Sequence, residues 1–225
     1  MKPARRSGQT LGVLLFVQLV GLILPFALLV PATTDGFLEA ATGNAGQIKL
    51  AVFLLFANAG VTISISLAAF PFIRIHSEAL ALGFVALSVI WFSAQAVDNV
   101  HILSMLSLSQ RYAEGAIANV EAAETLAAAV RVTRRWAHYT ELLIIDSWFF
   151  LLYGLLFRYS VVPRLLAVLG VAMAIVHTTA ITLPVFLDYP SAPLLGVSLA
   201  VSQLAVASWL VLKGTGERAP QSERS

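Results

Sequence analysis

Gln95, Asp98 and His101 recur at three-residue spacing with Asn99 alongside, and further on His138 and Glu141 repeat the interval ahead of Asp146. Residues three apart share a helix face, so each group forms a polar stripe. Imidazoles and carboxylates brought together can pass a proton, orient a polar ligand or bind zinc, which accepts His nitrogen and carboxylate oxygen in a four-coordinate site. These residues lie in or at the ends of long apolar runs, where ionisable groups are costly enough to be the first functional candidates. Asp98, His101, His138, Glu141 and Asp146 are therefore the candidate ligand-binding or proton-relay residues. A plainer reading stands beside this one: His and acids near an interface are reached by water, and Asp146 as a neutral acid would donate a single interhelical hydrogen bond. Partners within reach of Asp146 are His177, Gln18, Asn58 and Gln203.

Other chemistry finds less support. There is no HExxH, Gly-rich phosphate loop, nucleophile elbow or basic, aromatic nucleic-acid surface, so no catalytic set is assigned and the metal question stays open. The zero cysteine count removes disulfides, thiolate metal sites and cysteine nucleophiles. A bis-histidine haem needs two His at matching depth; His101 and His138 lie too near the water, and no cofactor is expected.

The elements that must position these side chains are membrane spans. Hydrophobic residues make up 59% of the 225-residue chain and charged ones 12%, against about 45–50% and about 25% in a soluble domain. Six apolar runs, each near the roughly 20 residues that cross a bilayer, predict helices over Leu11–Val30, Ile48–Phe70, Ala79–Leu106, Trp136–Phe157, Leu165–Leu187 and Leu194–Leu212. Pro25 should kink the first, Pro31 close it and Pro71 end the second, because proline lacks an N–H and clashes with the preceding turn. The connection Ser107–Arg135 is rich in Ala without Pro and reads as helical. Glu114, Glu121, Glu124, Arg131 and Arg135 fall on one face of it, and Ala116, Ala123, Leu126, Ala127 and Val130 on the other. It is either a lid lying on the bundle or an extension of the flanking spans. Gly83, Ala86, Gly154, Gly170 and Ala174 are expected where helices pack closely.

The fold class is thus all-α: a six-transmembrane-helix bundle with a helical connection on the outer side between the third and fourth spans. Residues 1–10 form a cytoplasmic segment, 11–212 the membrane domain and 213–225 a polar, disordered cytoplasmic tail. The first run is too long for a signal-peptide core and is read as a retained span. Nine of the fourteen Lys and Arg fall on the side of the N-terminus, which places both termini in the cytoplasm. Partners are the lipid bilayer and a small-molecule ligand, not nucleic acid; protein partners stay unknown.

Two stretches resemble a known family. Phe70-Pro71-Phe72-Ile73-Arg74-Ile75-His76-Ser77-Glu78-Ala79-Leu80-Ala81-Leu82-Gly83 is similar to the turn between the second and third helices of the bacterial DUF4386 membrane proteins. Tyr153-Gly154-Leu155-Leu156-Phe157-Arg158-Tyr159-Ser160 with Val162-Pro163-Arg164-Leu165-Leu166 is similar to that family's second cytoplasmic turn, and Trp209-Leu210-Val211-Leu212-Lys213-Gly214 to its close. Family members carry an Arg and a Glu early in the third helix, where Ser88 and Trp91 stand here. The resemblance implies six spans and a bacterial inner membrane, and it lends no established activity. Three functions fit: binding or moving a small hydrophobic or weakly polar molecule, metal-dependent chemistry on a lipid or isoprenoid, or an accessory role in a membrane complex.

Overall fold

The computed structural model describes residues 2–117, 119–187, 189 and 197–214, with side chains from residue 7 onward. These residues form seven helices: α1 (Lys2–Thr33), α2 (Phe37–Gly43), α3 (Ala45–Arg74), α4 (Glu78–Ala113), α5 (Val120–Arg158), α6 (Arg164–Phe186) and α7 (Ser198–Lys213). No strand occurs among the described residues. Five helices, α1, α3, α4, α5 and α6, are long and apolar enough to cross a membrane, and α7 is a shorter apolar helix. Large apolar side chains such as Ile23, Phe53, Val100 and Ile175 are exposed along the outer faces, as expected where lipid is the solvent. The chain is a multi-pass membrane protein.

Two helix ends differ from expectation for one reason. Pro31 does not close α1, and Pro71 does not end α3; both lie inside their helices, as do Pro25 and Pro184. The helices run on only as far as Thr33 and Arg74, so Pro31 and Pro71 each sit in a last turn, where a proline removes a single backbone bond. The segment between α1 and α3, which carries no predicted span, contains the short helix α2. Of the two readings of the connection after the third span, the extension of the flanking spans holds and the lid does not, because α4 and α5 each run on into it. They are separated by a turn at Gly115, whose φ of 70° suits a residue without a Cβ. The Gly115 and Ala116 amides bond back to the Tyr112 and Arg111 carbonyls, the pattern of a Schellman cap. Asn119 then caps α5 by accepting from the Ala122 amide. At 1.5 Å per residue, α4 and α5 are about 54 and 58 Å long, well beyond the roughly 30 Å hydrocarbon core. Their projecting ends pack with α2 through Phe37, Leu38, Met105, Leu108 and Ala127, and Arg131 pairs with Asp35 at 2.5 Å. Ala123 is buried there as expected, whereas Ala116 and Leu126 are exposed.

The long helices pack as a closed ring in the order α1, α3, α4, α5, α6, α7 and back to α1. Stacked Phe84 and Trp148, with ring centroids 5.1 Å apart, anchor the core between α4 and α5, and the Trp148 indole donates to Ser66 of α3 at 2.9 Å. The first described residue of α7, Ser198, donates to the Met173 carbonyl at 3.1 Å, about halfway along α6. The turn expected at Asp188-Tyr189-Pro190-Ser191, the start of the sixth run and the tail beyond Gly214 lie wholly or partly outside the described residues.

Close packing uses only some of the expected small residues. A Cβ on Gly170 would meet the Tyr153 ring at 2.3 Å, and Ala174 is fully buried. Gly83, Ala86 and Gly154 instead face outward, and a Cβ on either glycine would meet nothing within 4 Å. Gly12, not expected, is where α1 touches α7: a Cβ there would meet the Ala207 carbonyl at 2.9 Å. Replacing Gly170 with Val should therefore cost about 1–3 kcal/mol through overpacking, while Gly154→Val should change stability little. Denaturant unfolding of the two purified variants separates them; equal losses would contradict the packing described.

Candidate functional site

The polar stripe of α4 exists because one face of this helix is turned inward. Ser88, Trp91, Gln95, Asp98, Asn99 and Ile102 are buried; apart from the neighbours Asp98 and Asn99 they follow one another at intervals of three or four, as one helical face requires. Opposite them α5 presents Glu141, Ile145, Asp146, Phe149 and Leu152, also buried. α4 and α5 run in opposite directions, so Asp98 meets the early part of α5 and Trp91 a later part.

Asp98, His138 and Glu141 come together as their positions suggest. The His138 Nδ1 lies between two carboxylates, 3.6 Å from Asp98 Oδ2 and 3.4 Å from Glu141 Oε2. Sequence reasoning missed two members of this cluster. Arg134, counted among the topology-setting charges, places its Nε 3.2 Å from Asp98 Oδ1. The Trp91 indole donates to Glu141 Oε1; an uncharged residue thus fills the carboxylate's second hydrogen-bonding direction. Ser88 turns to its own helix and donates to the Val85 carbonyl at 2.7 Å. A search of the apolar runs for long donor side chains would have found Trp91, whereas Arg134 lies just before the run that begins at Trp136.

His101 does not join. It is half-buried, and the ion pairs and hydrogen bonds of the cluster do not include it. Three residues along a helix is a rotation of 300°, so His101 sits about 60° round from Asp98, on the far side of the boundary between interior and lipid. No group of three or more His, Asp or Glu side chains among the described residues is arranged to hold a metal ion. The position beside Asp98 that a cation would take is filled by the Arg134 guanidinium.

Asp146 forms a second site deeper in the bundle. Its Oδ1 is 2.7 Å from His177 Nδ1, and its Oδ2 accepts from Thr178 Oγ1 at 2.9 Å. Both oxygens are satisfied by α6, so His177 is the partner and the amides are not. Gln203 Nε2 donates instead to the Leu15 carbonyl and to Gln18 Oε1, at 2.8 and 2.9 Å. Gln18 donates in turn to Thr62. The buried Asn58 amide makes no hydrogen bond among the described residues.

The two sites share one cavity of about 450 Å³ between α1, α4, α5, α6 and α7. His138, Glu141, Gln95, His177 and Gln203 line it with Leu, Ile, Phe and Val side chains, Trp91 among them. Polar groups on otherwise apolar walls are the usual make-up of a small-molecule site, and the volume falls in the usual range of about 300–1,000 Å³. A larger groove between α1 and α7, lined by Phe16, Val17 and Val211, faces outward and holds no ionisable group.

No curated protein and no solved structure matches the sequence. Residues 10–214 match the profile of a domain of unknown function, over most of the chain and every helix that builds the cavity. The protein belongs to the DUF4386 family.

Proposed function

We propose that this protein crosses a bacterial inner membrane six times with both termini in the cytoplasm, and that it binds or moves a small hydrophobic or weakly polar molecule held in the central cavity. The observation that carries this reading is convergence: Glu141 and His138 on one wall and His177 on another border the same apolar space. Buried ionisable groups that served only to tie helices together would not need to border a cavity. The excess of Lys and Arg on the N-terminal side supports the orientation, and the antiparallel packing of the apolar helix α7 on α1 and α6 supports a sixth crossing. Asp98 and Arg134 act as the frame that fixes His138, and Asp146 fixes His177.

Ala200 lines the cavity on α7, and Ala200→Phe should fill part of it. In nanodiscs of neutral lipid, n-octanol should raise the unfolding midpoint of the unaltered protein in a saturable way and lose most of that effect in the filled variant. An identical response in both proteins would remove the cavity from consideration as a binding site.

A further inference from the structure

We propose that the ligand of this cavity is a lipophilic amine: an apolar body carrying a nitrogen that donates hydrogen bonds, taken up as the free base or the ammonium. The inference rests on the cavity being a binding site, as proposed above, and adds the chemical class. Three observations carry it.

The first is the direction of the hydrogen-bonding groups. His177 Nδ1 lies 2.7 Å from Asp146 Oδ1; opposite an ionised carboxylate Nδ1 is the donor, and a neutral ring then keeps an acceptor at Nε2. The orientation of the Gln203 amide is fixed because its nitrogen donates to a backbone carbonyl, that of Leu15. A carbonyl accepts only, so the amide cannot be reversed there, and Oε1 is outside both bonds that Gln203 makes. Glu141 has one oxygen held by Trp91 and the other 3.4 Å from His138, and a carboxylate oxygen has capacity for more than one donor. Three residues that border the cavity, His177, Gln203 and Glu141, thus each carry an acceptor that a donor ligand could meet.

The second is charge. The clusters around the cavity contain three carboxylates, Asp98, Glu141 and Asp146, against one guanidinium and two imidazoles. With both imidazoles neutral the set carries −2, and with both protonated it reaches zero. With the three carboxylates ionised the set is at no point positive, so it offers a cation more than it offers an anion, and an apolar surrounding enlarges that difference.

The third is the aromatic lining. Phe26, Trp91 and Phe149 all border the space, and the faces of such rings attract ammonium groups, most strongly where water is excluded. Apolar walls alone would accept any oily molecule; acceptors, negative balance and rings together select the amine.

The test compares three eight-carbon probes of nearly equal size, n-octylamine, n-octanol and octanoate, on the whole protein in nanodiscs of neutral lipid. Each affinity is read as the part lost in Ala200→Phe, so that partition into lipid cancels. Octylamine should bind about tenfold or more tightly than octanol, the gain expected of a desolvated cation on rings and carboxylate, and octanoate should bind least. Glu141→Gln, which preserves the oxygen that meets Trp91, should bring octylamine down to the level of octanol. Octylamine binding no better than octanol, or octanoate binding as well as either, would overturn the amine assignment while leaving a ligand cavity in place. Absence of Ala200-dependent binding by all three would overturn both. Because the ranking is measured on the unaltered protein, it stands as a test even if Glu141→Gln does not fold.

Discussion

Replacing Arg134 with Met should destabilise the protein by about 3 kcal/mol or more, the usual consequence of leaving one member of a buried ion pair alone. Asp98 is 1% exposed and its side chain lies in the bundle, so without the guanidinium 3.2 Å away its charge has only His138 for company. The loss should come from the orphaned carboxylate and not from the shape of the missing side chain. Arg134→Met with Asp98→Leu should therefore recover most of the stability, since apolar replacement of a whole buried pair is often neutral or stabilising. Unfolding in a graded denaturing detergent, run on the wild type, both single variants and the double variant, yields the coupling between the two sites. A double variant as unstable as the sum of the singles would show that the pair is not what Arg134 contributes.

The second large effect is expected at Asp146. Asp146→Asn preserves size but replaces one acceptor by a donor, and the new NH2 cannot face His177 while Nδ1 still carries a proton. If the amide nitrogen turns to His177, the ring proton moves to Nε2 and the imidazole presents a donor to the cavity in place of an acceptor. Preference should then shift away from donor ligands: octylamine should weaken by about tenfold, the value of one good hydrogen bond to a charged group, and octanoate should strengthen. Nitrogen-15 spectra of histidine-labelled protein report the tautomer directly. A change in affinity with the tautomer unaltered would place Asp146 in some other role than orienting His177. The same substitution tests the proton-relay reading, because any dependence of binding on pH that passes through Asp146 disappears with its carboxyl group.

Much of this was legible in the residues. Spans announce themselves by length and composition, and the sequence narrows the partner of Asp146 to four polar residues, of which the structure selects His177. Asp98 with His138 and Glu141 follows from opposite running directions. What the spacing of α4 does not contain is the rotation of the helix about its own axis, and that angle decides that Asp98 turns inward and His101 does not. The same ignorance of rotation let Gly83 and Gly154 pass for packing points and left Gly12 unnoticed. Arg134 was hidden for a different reason: a cation near the end of a span ordinarily sets topology, and only the length of α5, running past the membrane surface, turns it toward Asp98.

α5 is a single rod of 39 residues with no proline. It carries at one end the ion pair to Asp35 beside α2, and further down Arg134, His138, Glu141 and Asp146 in turn. Whatever grips the projecting hairpin therefore holds a lever whose short arm is the cavity wall: a few degrees of tilt at the tip must displace His138 and Glu141 relative to His177, which rides on a different helix. The hairpin is thus a handle by which a membrane neighbour, or the solution outside, gains purchase on a chamber that it never touches.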